Sequence, residues 1–163
     1  MAATLTILTL HKLTEIYNIA KSISSNISED VQKILTEFDI DITIKIITSL
    51  IEEFTKEHNI EKLQSPTIKI CFDSIEEILK NMKTEKKKLE DSYEYNKSLW
   101  VLVYFRSLDV TISIDSIKKN SILLDKRLKT LIEILQIKEL TSEIIEHNST
   151  SISSKQQTIK FHY

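Results

Sequence analysis

Ser65-Pro66-Thr67-Ile68-Lys69-Ile70-Cys71-Phe72-Asp73-Ser74-Ile75-Glu76-Glu77-Ile78-Leu79-Lys80-Asn81-Met82 carries the clearest fold signal in the chain. Serine suits a helix cap and proline the first helical position, where its missing N–H would be unpaired anyway. Behind them Ile68, Cys71, Phe72, Ile75, Ile78, Leu79 and Met82 recur at spacings of three and four, as one buried helix face requires. The run Glu85 to Glu90 that follows is mainly charged and predicts a stretch that projects past the core or bends, before Leu89, Tyr93 and Trp100 resume the stripe.

The same period appears on both sides of this segment. From Thr4 to Ser24 the stripe is Leu5, Leu8, Leu13, Ile16, Ile19, Ala20 and Ile23. From Ser28 to His58 it is Val31, Ile34, Leu35, Phe38, Ile42, Ile46, Ile47, Leu50, Ile51 and Phe54, with Ser28 as cap and Glu29 and Asp30 complementing the positive helix end. A rival exists there, because Ile40, Ile42, Ile44 and Ile46 alternate with polar residues as in a half-buried strand. The helix is preferred, since the 3.6-residue period continues on either side. Ser107 to Asp115 reads as a connection, with a short extended piece as an open alternative where Val110, Ile112 and Ile114 alternate, and Asp115 or Ser116 caps a last helix with Ile117, Ser121, Leu124, Leu128, Leu131, Ile132 and Leu135 on one face.

The expectation is an all-α, up-down four-helix bundle with a long third helix, the bundle domain covering 1–147 and a polar, loose tail 148–163. Composition agrees. The 163 residues suit one domain, and 41% apolar with 28% charged residues is globular usage. Glycine is absent and Pro66 is the single proline, which leaves sheet folds without their usual turn residues. The longest apolar run, Leu99 to Phe105, is far short of the roughly 20 residues that cross a bilayer, and with no basic leader the expected location is cytoplasmic, peripheral at a membrane at most.

Chemistry is sparse. His11, His58, His147 and His162 stand apart, and Glu143 with His147 lacks the spacing of a di-metal carboxylate site. Without glycine there is no phosphate-cradling loop. Cys71 lies on an apolar stripe and reads as a buried hydrophobe. No cofactor, no metal and no catalytic residue are expected. A net charge of −2 gives no field for nucleic acid, so any anion must meet a local patch. Two clusters qualify: Lys83, Lys86, Lys87 and Lys88, beside Lys80, and Lys118, Lys119, Lys126, Arg127 and Lys129. Each is either an ordinary solvated face or, where helices bring both together, a seat for acidic lipid headgroups.

The order of features resembles the amino-terminal four-helix bundle of mixed-lineage kinase domain-like proteins and the related HeLo-type bundles. The resemblance lies in Ile46-Ile47-Thr48-Ser49-Leu50, in Ile75-Glu76-Glu77-Ile78-Leu79, in the aromatic end Trp100 to Phe105 with Arg106, and in Ile117-Lys118-Lys119 followed by Leu128-Lys129-Thr130-Leu131-Ile132-Glu133-Ile134-Leu135-Gln136. It implies a non-enzymatic module of cell-death and immune signalling that self-associates and contacts acidic membrane lipid. The alternative is an adaptor that binds a partner protein through one helix face and has no membrane role.

Overall fold

A computed structural model describes residues 2–56, 60, 63–98 and 110–158, with side chains over 6–56, 60, 63–98 and 110–141. The described elements are five α-helices and no strand: α1 (Ala2–Ile23), α2 (Glu29–Glu37), α3 (Ile40–Lys56), α4 (Pro66–Ser98) and α5 (Thr111–Thr158). The all-α expectation holds, and the count of four is corrected to five. The Trp100 stretch, Arg106, His58, His162, the Leu5 and His147 side chains and the tail after Thr158 lie outside the described residues.

The extra helix arises inside the segment expected as one long helix, Ser28 to His58. Ser28 caps α2 as expected, its Oγ accepting from the Val31 N–H at 3.4 Å. Helix α2 then ends at Glu37, because Asp39 takes a left-handed backbone with φ 55°. That conformation normally calls for glycine after a helix end, and asparagine and aspartate are the side chains that tolerate it best. A chain without glycine uses them: Asn26, at φ 50°, stands in the same way beyond α1. The Asp39 carbonyl accepts the Thr43 N–H at 3.1 Å and so starts α3 at once.

One left-handed residue turns the face that follows. Ile40, Ile44, Ile47 and Ile51 are buried, whereas Ile42 and Ile46 face outward and Leu50 is half-buried. The strand reading of 40–46 is likewise overturned. Asp39→Gly should leave stability unchanged or slightly raised, while Asp39→Val should lower it by roughly 1–3 kcal/mol, since a β-branched residue is poorly suited to this region. Thermal melting of the two variants checks this, and a valine variant as stable as the parent would show that the kink is not held at Asp39.

Helix α4 begins as the sequence indicates, with the Ile68 N–H donating to Ser65 Oγ at 3.4 Å. It runs unbroken to Ser98, and its charged middle neither projects nor leaves the core: Met82, Lys86 and Leu89 are all buried. The start of α5 also differs from expectation. The connection closes early, the Ile114 N–H donates to the Val110 carbonyl at 3.0 Å, and 111–114 is helical rather than extended.

The chain divides into two compact units, Met1–Leu128 and Lys129–Tyr163. In the first, α1 packs against both α4 and α3, and α2 packs on α3 and α4. Its core is Leu13, Ile16, Ala20 and Ile23 of α1, Val31 and Leu35 of α2, the inward face of α3, and Ile68, Phe72, Ile75, Leu79, Met82 and Leu89 of α4. The first part of α5 adds Ile117, Leu124 and Leu128, and its Ser121 Oγ donates to the Phe38 carbonyl at 2.9 Å. The second unit continues α5, whose backbone is helical through Thr158 and so covers most of the segment 148–163.

Candidate functional site

The expected basic residues fall into three settings. Lys83 and Lys87 stand exposed at a groove of about 330 Å³ that Ser22, Asn26, Ser28, Glu90, Asp91 and Glu94 also line. Lys86 points into the same place but is only 6% exposed. Its ammonium donates to the Ser25 carbonyl at 2.8 Å and the Ser22 carbonyl at 3.3 Å, and stands 3.2 Å from Glu90 Oε1. The last carbonyls of a helix have no partner within it and carry partial negative charge, so Lys86 serves as the cap of α1. As a buried cap it is withdrawn from the candidate lipid contacts.

Lys88 lies on the opposite side of α4, 2.7 Å from Glu85. The Lys88 ammonium holds the Glu85 carboxyl below its ordinary range, against the opposing effect of burial and with help from the Ser113 hydroxyl of α5. Among the described residues, none of α5 lines the groove of Lys83 and Lys87. The acidic side chains there also dilute its positive charge.

On α5 the arrangement is different. Ile117, Leu124 and Leu128 point inward, and Ile112, Lys118, Lys119, Ile122, Leu123, Lys126 and Arg127 are exposed. At 100° per residue, positions 112, 119, 122, 123 and 126 fall within an arc of about 100°. Three large apolar side chains thus share one outer face with two lysines and one carboxylate, the exposed Asp115, which falls in the same arc. Lys118 flanks it, its Nζ 5.9 Å from the centre of the Phe38 ring, and Arg127 flanks the other side. Lys129 opens the second unit.

The strongest electrostatic feature was not legible as a site. Glu76, 5% exposed, sits between α1 and α4. It accepts hydrogen bonds from Lys12 and Lys80, while Lys12 also meets Asp73 at 2.8 Å and Lys80 meets Glu15 at 3.0 Å. Burial alone would push the Glu76 carboxyl up. The two ammonium groups outweigh it and hold the carboxyl at about 2. Each ion pair joins opposite charges on a neighbouring turn or helix, and the network ties α1 to α4. The signal was present in part: Glu76 is four residues after Phe72 and three before Leu79, on the buried stripe.

Cys71 is buried, as its place on the stripe implied. Among the described residues no three His, Cys, Asp or Glu side chains gather as a metal site would need, and no helix is long and apolar enough to cross a membrane. The chain matches no protein-family model, no curated protein and no solved structure.

Proposed function

We propose that this protein is a non-enzymatic helical module that self-associates and meets acidic membrane lipid through the outer face of α5, acting peripherally on a cytoplasmic membrane surface. The observation that carries this reading is the mixed face itself: Ile112, Ile122 and Leu123 exposed in one arc with Lys119 and Lys126, flanked by Lys118 and Arg127. A helix that lies in a headgroup layer needs apolar side chains to enter the acyl boundary and basic ones to stay with the phosphates. A solvated surface needs only the second. The pattern resemblance to cell-death bundles adds the same expectation from the sequence side, including a role in signalling.

Lys83, Lys87 and Lys88 have no comparable apolar company, so the proposal rests on α5. Basic residues near an anionic surface contribute on the order of 1 kcal/mol each. Changing Lys118, Lys119, Lys126 and Arg127 together to glutamine is therefore expected to weaken liposome binding by roughly 100-fold or more. Flotation with and without acidic lipid measures it. Added salt should weaken wild-type binding, because the Debye length shrinks from about 10 Å at 0.1 M to about 3 Å at 1 M. Wild-type protein that ignores acidic liposomes at low salt would overturn the lipid contact and leave the adaptor reading, in which an exposed helix face takes a partner protein.

A further inference from the structure

The joint between α2 and α3 is only Phe38 and Asp39, and the chain on either side of it is suited to run straight. No glycine or proline stands between Ser28 and Lys56, and Leu35, Phe38, Ile42 and Ile46 keep helical spacing across the joint. The bend rests on two features. One is the left-handed backbone of Asp39, which a straight helix would not need. The other is a clasp: the Asp41 carboxylate accepts from Gln32 Nε2 at 2.5 Å and from Thr36 Oγ1 at 3.1 Å. In a straight helix Gln32 and Asp41 would stand about 13 Å apart along the axis, at 1.5 Å per residue, and that clasp would be lost.

Most of the packing crosses this joint. The main helix contacts, α1 on α4 and on α3 and α2 on α3 and on α4, each tie the segment before Asp39 to the segment after it. So do the Ser121 hydroxyl on the Phe38 carbonyl and the Tyr17 hydroxyl, which donates to Glu52 Oε1 at 3.1 Å. We infer that the joint is a hinge at which two copies of this chain exchange their α1–α2 segments, α2 and α3 of each copy then forming one continuous helix. The α1 and α2 of one copy find on the other the same faces of α3 and α4 that they cover within a single chain, so contacts already present specify the partner. The difference between the two forms is concentrated at the joint: exchange gives up the Asp41 clasp and releases Asp39 from the left-handed region. Short strained joints favour this route to a dimer.

This inference gives the self-association in the proposed function a mechanism, and it rests on that part alone; its test uses no lipid. Exchange requires opening the packed core, so the dimer forms on refolding and persists on dilution. Wild-type protein refolded at high micromolar concentration is expected to contain some dimer by sedimentation. Asp39→Ala/Asp41→Ala, which disfavours the left-handed backbone and removes the clasp, should raise the dimer-to-monomer ratio by about 10-fold or more. Asp39→Gly, at ease in the left-handed region and poor in a straight helix, should lower it. In a Cys71→Ala background, one copy carrying Tyr17→Cys and another carrying Glu52→Cys, refolded together, should be joined by a short bismaleimide, because exchange sets those positions side by side across chains. Wild-type protein or a double variant that stays monomeric, a glycine variant that dimerises as much as the alanine one, or a dimer that the reagent does not join between 17 and 52 would each overturn the inference.

Discussion

Replacing Glu76 with alanine is expected to destabilise the first unit by roughly 3–5 kcal/mol, the range for removing one partner of a buried ion pair. The loss comes less from the missing attraction than from what remains. Lys12 and Lys80 approach the seam between α1 and α4 because a carboxylate waits there, and alanine leaves Lys12 desolvated with Asp73 as its nearer counter-charge. Because Lys12 keeps that second partner, the lower end of the range is the better expectation. Removing both ends together, as Lys12→Met/Glu76→Leu, should be milder than Glu76→Ala alone, since no charge is then left unpaired.

The same group gives stability a defined acid dependence. Glu76 has an ordinary value of 4.5 when unfolded and about 2 in the fold. Between these values the unfolded chain binds the proton more readily than the native one, so stability falls as pH falls. Its contribution is present in full above about pH 4.5 and is lost as the solution approaches about pH 2. Denaturant melts at about pH 5 and about pH 3, for wild type and Glu76→Gln, measure it: the wild type should lose more than the variant. Equal losses would place the acid sensitivity elsewhere.

Leu79→Ala should cost roughly 2–5 kcal/mol, through lost burial and a cavity that the four packed helices cannot collapse. Leu79 is fully buried in α4. Ile46→Ala makes the useful comparison. A helix continuous through 38–40 would bury Ile46 as part of its stripe, and its truncation would then cost nearly as much. With the break at Asp39 it is exposed, and truncation should change stability by less than about 0.5 kcal/mol. Chemical denaturation of the two variants separates the alternatives, and comparable losses would contradict the assigned faces.

Helix class and most of the core were legible because burial imposes a 3.6-residue period on apolar positions. Leu13, Ile16, Ile23, Ile75, Leu79 and Leu124 were all assigned inward from that period alone. The break between α2 and α3 was not legible, since no glycine or proline marks it and the apolar spacing from Leu35 through Phe38 to Ile42 runs straight across. Only the backbone angle of Asp39 reveals it, and that angle decides which isoleucines face out. The burial of Lys86 and Glu76 was not legible, because charged neighbours surround them in sequence. Their helical positions, between Met82 and Leu89 and between Phe72 and Leu79, placed them inward. Their partners, the Ser22 carbonyl in the last turn of α1 with the Ser25 carbonyl just past it, and Lys12, are more than 60 residues away. The α5 face was half legible: its basic residues stood out, while its exposed apolar members became distinguishable only when Ile117, Leu124 and Leu128 were seen to point inward.

The claim that the outer face of α5 meets acidic lipid is tested most directly by what surrounds a probe placed on it. In a Cys71→Ala background, an environment-sensitive fluorophore on Leu123→Cys should shift to the blue when vesicles containing acidic lipid are added. The same fluorophore on Ile70→Cys, exposed on α4, should not shift. Added salt should reverse the shift at Leu123, since both the approach and the hold depend on charge. A probe at Leu123 that stays in water while the protein floats with the vesicles, or a shift of equal size at Ile70, would contradict the assignment of the membrane surface to α5.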